Sequence, residues 1–508
     1  MSRSGHIPAI AAIVTAGFAV SGCMLTPKSY EPDFVGSTSS SRLFKVFAGQ
    51  EPIQTEVSLY EAMARALKYN LEHKVKLAET ALRVRQLDLA HHSLMPTLVA
   101  KSGYAGRNKY SGGKSKEILS SRSLGAESLQ SSTSQEREVF SGDITMSWNI
   151  LDFGLSYVRA QQASDEVLIA RELRRKIAAK IIEDVRTVFW RALSNQRLFG
   201  KMKRLQRKVQ ASLASSRVLS SGGEVSPITA LTYERELIEI KRELQRLQSD
   251  LLSAKAELAV LMNERPDASF RLKDDMRSAQ IPQTNMDLPA MLSTALDKRP
   301  EIRELFYKAR INKREVNAAA LELLPGLQLF AGGNFDSNKF LYSSHWIGWG
   351  AKASWNLMKV FQYPTKRKLI GARDKLLKQK ALAMSAAIYM QVHVARARYI
   401  HARRELRTAQ EFANVQKRLL RQVRAGVKAG SVTEQSLIRE EMNALIAQVK
   451  FDIAYASFQN SFANLFTTMG LDVYPSEASE ISRLGPLTEA LREMWIERGT
   501  PNFRPAAY

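Results

Sequence analysis

Two stretches of the chain alternate apolar and polar residues with a period of two. In "GDITMSWNI", Ile144, Met146, Trp148 and Ile150 alternate with Asp143, Thr145, Ser147 and Asn149. Such alternation sends the two sets of side chains to opposite faces of a strand. "WGAKASWNL" keeps the same phase 207 positions later, with Ala351, Ala353, Trp355 and Leu357 opposed to Lys352, Ser354 and Asn356. A second pair of alternating stretches begins just after Pro96 and Pro325, where a helix is expected to stop. Leu98, Ala100 and Tyr104 alternate with Thr97 and Lys101, and Leu327, Leu329, Ala331 and Phe335 with Gln328 and Asn334. The pattern predicts four strands of roughly 9 to 11 residues, each long enough to cross a bilayer on a slant. It describes a wall between two solvents.

Between the strand pairs the period changes to that of a helix. No proline occurs from Gly154 to Ser221, and in the helix predicted next, over 226–262, the only proline is Pro227 in its first turn, where proline is tolerated. None interrupts Thr365 to Tyr474. About 68 residues at ~1.5 Å each make a rod of ~100 Å, which needs a partner. One is legible: Leu237, Ile240, Leu244, Leu247, Leu251, Ala254, Leu258 and Leu261 form an unbroken seam of a and d positions. The residues 207 further on, Ala444, Ala447, Phe451, Ala454, Phe458, Ser461, Leu465 and Thr468, are smaller and predict closer approach or looser packing.

These matches are parts of one internal repeat. Leu94, Pro96 and Leu98 correspond to Leu323, Pro325 and Leu327 at an offset of 229, whereas Trp148 and Trp355, Gly223 and Gly430, and Met262 and Met469 share an offset of 207. The difference falls in the Ser-rich polar interval from Asn108 to Glu138, which reads as an enlarged exposed loop in the first copy. The expected organisation is a leader over 1–22, a linker over 23–56, and a first repeat over 57–285 with strands near 97–106 and 139–151 around a loop at 107–138. A second repeat spans 286–471 with strands near 326–335 and 346–358, and a tail follows over 472–508. Four strands do not close a barrel, because known barrels begin at about eight. The barrel must therefore be shared between chains.

The first residues change the picture. Arg3 precedes the apolar run Ile7 to Val20, a secretory signal by pattern and too short to count as a spanning helix. "VSGC", Val20 to Cys23, resembles the lipobox of bacterial lipoproteins, so Cys23, the single cysteine of the chain, is the expected lipidation site. Met24 follows it in place of the Asp that often retains lipoproteins in the inner membrane, which favours the outer membrane. Beyond Cys23 no run of 18 apolar residues occurs, and a mature chain that crosses a membrane must then do so as a closed barrel.

Charge and chemistry narrow the function. Lysine and arginine total 74 against 50 acidic residues, a net of +24, which suits a nucleic acid, an anionic surface or an anionic solute. A basic coiled-coil scaffold or nucleic-acid-binding protein is thus the alternative reading, although it explains neither the strands nor Cys23. No phosphate-cradling loop, H-E-x-x-H, G-x-S-x-G or cysteine pair for a metal is present. His91 and His92 are adjacent, diverge by about 100° on a helix and make a poor chelate. No catalytic residue, cofactor or metal is expected.

In this order of elements the chain resembles the outer membrane efflux protein family, the TolC-like channels, over about Val57 to Leu471. The resemblance rests on the lipobox, on two helices ending in L-x-P-x-L, on two strands ending in Trp-Asn-aliphatic and on two glycine-containing helical turns. "NILDFG", Asn149 to Gly154, is close to the family's exit from its second strand, and "NLMKVF" departs from it. The resemblance implies a mostly α fold with a small β portion. Three chains would share a twelve-stranded outer membrane barrel, continued by a periplasmic tunnel of antiparallel coiled-coil helices. Strand count alone also allows a dimer of eight, which encloses little more than side chains. It further implies a lipid-anchored homotrimer without nucleic acid, an exit duct of a tripartite efflux pump or type I secretion system. Its partners would be a periplasmic adaptor and an inner membrane transporter of RND or ABC type. Trp148 and Trp355 would face outer membrane lipid near the aromatic girdle. Gly223, Gly430 and Ser431 would form the docking turns at the periplasmic tip. Arg439 and Glu440 would lie in the gate, where some relatives carry a carboxylate ring.

Overall fold

The computed structural model describes residues 29–30, 32–53, 56–120, 123–221, 226–274, 282, 287–471, 474 and 483–500. Two units divide at Pro52. In the first, helix α1 (Pro32–Val46) carries Phe34, on which Tyr30 stacks with ring centroids 5.6 Å apart. Cys23 and the leader lie outside the described residues.

The second unit is one design used twice. Its first copy runs β1 (Glu56–Val57), α2 (Leu59–Tyr69), α3 (Leu71–His92) and β2 (Thr97–Gly106), then the short strands β3 (Ser111–Gly113), β4 (Lys116–Ile118), β5 (Leu124–Glu127) and β6 (Ser132–Gln135). It continues with β7 (Glu138–Asn149), α4 (Ile150–Ser221) and α5 (Pro227–Leu261). β8 (Arg271–Leu272) follows at the end of the first copy, and the second runs α6 (Leu288–Lys298), α7 (Pro300–Leu321), β9 (Gly326–Asp336), β10 (His345–Ser354), α8 (Met358–Lys428) and α9 (Glu434–Thr468). Helix α10 (Leu484–Arg498) closes the described chain. Equivalent helices match in length: 11 residues in α2 and α6, 22 in α3 and α7, 72 in α4 against 71 in α8, and 35 in α5 and α9. The fold is mostly helical with a small β portion.

The Ser-Trp-Asn motif marks the switch from strand to helix. Asn149 Oδ1 accepts from the amides of Leu151 and Asp152 at 3.1 and 3.3 Å, and Asn356 Oδ1 from that of Met358 at 3.2 Å. Each asparagine satisfies amides that the first helical turn would leave unbonded. In the second copy the cap wins over the apolar run Leu357 to Phe361. The strand stops at Ser354, four residues before the expected 358, and α8 takes up Pro364 in its interior.

Two further expectations change in detail. The enlarged loop is not bare: β3 pairs with β6 and β4 with β5 as two small antiparallel ribbons. The hydrogen-bonding ladder, not burial, orders this polar segment. On the helical side, α5 buries Leu237, Leu244, Ala254 and Leu258 of the predicted seam. Its counterpart α9 lies against both α8 and α4, so it also buries Ile438, Met442, Leu445 and Val449 off that seam. These four join Leu198, Met202, Leu205, Val209 and Leu213 of α4 in one core. The small seam residues therefore belong to a helix covered on two sides.

Helices α5 and α9 end alike. Asn263 and Gly470 both adopt positive φ, 62° and 72°, and the amides of Glu264 and Leu471 bond back to Ala259 and Phe466 at 2.7 and 3.0 Å. This is the helix-ending motif in which a left-handed residue satisfies orphan carbonyls.

Candidate functional site

The four long strands form one antiparallel sheet in the order β10-β9-β7-β2. Register places Leu98, Met146 and Ala331 in one row, and Ala351, Leu329 and Trp148 in another. On the inner strands β7 and β9 one face is apolar and exposed, as at Ile144, Met146, Leu329 and Phe335, and Ile347 and Trp349 of β10 continue it. On the outer strands the other face is exposed as well, at Lys101 and Lys352. Asp143, Thr145 and Ser147 of β7 and Gln328 and Asn334 of β9, on the opposite face, are partly covered. A sheet bathed in water on its open face shows the reverse, apolar inward and polar outward. β2 and β10 each leave an edge without a described partner, and at 10 residues each they are long for unprotected edges.

Trp148 belongs to this face and packs edge-on to Phe153 with centroids 5.6 Å apart. Trp355 lies just past the end of β10, and its indole nitrogen donates to the carbonyl of Leu323 at 3.0 Å. The two tryptophans thus sit at the helical end of the sheet, one in the strand and one at the junction.

The other end of the long helices carries the turns. Gly223 lies outside the described residues. The turn from α8 to α9 is fully described: Gly430 has φ +75° with open space where a side chain would stand, and the Ser431 amide bonds to Gly426 O at 2.9 Å. Ser431 Oγ donates to the same carbonyl at 3.2 Å, and the Thr433 hydroxyl caps α9 by accepting from the amide of Ser436. Ala429, Gly430 and Ser431 are all exposed, so the turn offers backbone and only small side chains to solvent.

The two gate candidates face different helices. Arg439 bonds Glu236 of α5 at 2.7 Å, and this guanidinium holds the Glu236 carboxyl below the usual carboxylate range. Glu440 instead accepts from Gln416 of α8 at 2.5 Å and from Asn443 at 3.1 Å. The structure does not bring the two together. Glu441, their neighbour, is the residue that bridges: it meets Arg424 of α8 at 3.1 Å and Lys208 of α4 at 3.5 Å. Its sequence signal is only that it follows Glu440 on the next helical position.

Among the described residues no three His, Cys, Asp or Glu gather as a metal site, and no helix is long and apolar enough to cross a membrane. His91 and His92 close α3 at its last turn.

No family model matches the chain, and no curated protein matches its sequence. Solved structures do match its fold. The CmeC outer membrane channel of Campylobacter jejuni is 15% identical with a TM-score of 0.62, over 93% of this chain and 98% of that one. The open-state MtrE outer membrane channel of Neisseria gonorrhoeae is 14% identical with a TM-score of 0.60, over 89% and 98%. The outer membrane protein VceC of Vibrio cholerae is 12% identical with a TM-score of 0.57, over 81% and 96%. The chain has the fold of the TolC-like outer membrane channels.

Proposed function

We propose that this chain is one subunit of a passive, trimeric exit duct in the outer membrane, lipid-anchored through Cys23. It would take cargo from a periplasmic adaptor and an inner membrane transporter of RND or ABC type, in an efflux pump or type I secretion system. The observation that carries the reading is the β10-β9-β7-β2 sheet, which exposes an apolar face and leaves both edges without a described partner. Its strands alternate in direction, so β10 of one copy runs antiparallel to β2 of the next. Head-to-tail pairing of that kind gives a ring when the rotation between copies closes. Three copies supply twelve strands, an even number within the known range for such barrels. Two helices of about 70 residues leave the same sheet and extend the passage by roughly 105 Å.

The direct test is the protein purified from membranes. A trimer in the outer membrane fraction that conducts ions in a planar bilayer is the expected result. A soluble monomer without conductance, or one that binds nucleic acid, would refute the reading.

The anchor and the tip have tests of their own. Cys23→Ser should abolish labelling by radioactive palmitate while the barrel still inserts. An unlabelled wild-type protein with an uncleaved leader would remove the anchor. Gly430→Trp places a bulky side chain on the bare turn at a cost of about 1–2 kcal/mol of backbone strain. The trimer should survive and export should stop, with adaptor cross-linking at Ser431 lost. Normal export at normal protein level would show that docking occurs elsewhere.

A further inference from the structure

The excess of positive over negative charge is not spread evenly along this chain. Helix α4 holds 15 lysines and arginines against 6 acidic residues, and α8 holds 18 against 3. Their combined excess equals the +24 of the whole chain, so everything outside these two helices is balanced. Both helices lean on α9 from different sides and leave a cleft between them, floored by Ala444, Leu445, Gln448 and Phe451. The cleft has a volume of about 850 Å³.

One wall is a basic stripe. Arg197, Lys201, Arg204 and Lys208 recur at intervals of four, three and four residues, which stacks them along one face of α4 over roughly 16 Å. Lys417 and Arg424 stand one heptad apart on the α8 wall. Acidic partners reach only part of this set. Arg197 meets Asp452 and Asp274, while Lys208 and Arg424 meet Glu434 and Glu441. Lys201, Arg204 and Lys417 are exposed and make no ion pair among the described residues.

We infer that this cleft is an anion site on the conduction path, and that the duct takes anionic cargo bearing carboxylate or phosphate groups. The inference rests on the duct reading given above. Two walls that each pack on α9 stand at most about 16–20 Å apart axis to axis. The Debye length at physiological salt is ~8 Å, so the fields of both walls overlap across the gap. Concave walls of one sign raise the local concentration of counter-ions. The distribution favours cargo over a docked acidic protein segment. A docking patch is local, whereas the cationic residues run from Arg159 to Arg217 on α4 and, on either side of a gap between Lys380 and Arg396, from Lys359 to Lys428 on α8, far beyond the cleft.

The test is the purified assembly in a planar bilayer under a potassium chloride gradient. Wild type should pass chloride over potassium by at least about threefold. The variant Lys201→Gln, Arg204→Gln, Lys417→Gln should lose more than half of that preference. It should also need about tenfold more inorganic tripolyphosphate for the same block of current. Lys203→Gln, Arg207→Gln, Arg418→Gln removes equal charge from the same helices off the cleft, and should keep the wild-type ratio. Cation preference in wild type, or equal loss in both variants, overturns the inference. Unchanged selectivity with export lost in the cleft variant would assign the cleft to an acidic partner segment and overturn the cargo assignment. Conductance without anion preference removes this inference alone; absence of conductance in wild type removes the duct reading as well.

Discussion

Met146→Arg is expected to cost the assembled protein about 2 kcal/mol, between the ~2 to 4 kcal/mol of a cationic side chain on the lipid face at the bilayer midplane and the ~0 to 1 kcal/mol near an interface. Met146 is the ninth of the twelve residues of β7, half-exposed, with Leu98 and Ala331 beside it in the same row. In water an arginine at such a position is harmless, since a half-exposed methionine gives up little burial. In lipid the same side chain has no solvent. Thr145→Arg, one residue away on the opposite face, should cost less than about 1 kcal/mol. It loses only the Thr145 hydroxyl bond to Asp143 at 3.1 Å and places a cation beside that carboxylate. Urea unfolding of the protein in lipid vesicles measures both. Equal losses, or a greater loss at Thr145, would mean that the exposed apolar face does not meet lipid.

That face was legible in the sequence because a period of two survives whatever solvent lies on either side. Ile144, Met146 and Trp148 alternate identically in a soluble sheet and in a barrel, and only the lipobox at Cys23 and the absence of another apolar span pointed to lipid. The repeat was legible for a similar reason: Trp148 and Trp355, or Met262 and Met469, mark junctions that both copies need. What escaped was interaction at a distance. Arg439 and Glu440 are adjacent in the chain, but their partners Glu236 and Gln416 lie 203 and 24 residues away on different helices. Asn149 and Asn356 read as ordinary polar positions of a strand until the helix they cap is seen. The ribbons between β2 and β7 contain segments such as "SGG" and "STSQ" with no apolar residue, so no pattern could announce them. The net charge was read as one number, although its confinement to α4 and α8 is written in the same residues.

Gly470→Asn is expected to cost about 3 kcal/mol, while Gly430→Asn should cost less than about 1 kcal/mol. The two glycines have nearly the same backbone, φ +72° and +75°, and both end a long helix with the same hydrogen-bonding motif. Asparagine is the non-glycine residue best suited to that conformation, and the chain itself uses Asn263 at the equivalent end of α5. Strain in φ is therefore common to both variants and small. The difference lies in what a side chain meets. At Gly430 nothing stands within 4 Å, whereas at Gly470 a Cβ would fall 2.5 Å from Arg299 N and 2.6 Å from Lys298 C. Those are backbone atoms at the junction of α6 and α7 and cannot swing away. Arg175 also donates to the Gly470 carbonyl at 3.1 Å, so a shift that relieves the clash breaks a bond between α4 and the end of α9. Denaturant midpoints of the two purified variants, at unchanged m-value, give the comparison. If Gly470→Asn loses no more than Gly430→Asn, α9 does not end against the α6–α7 junction.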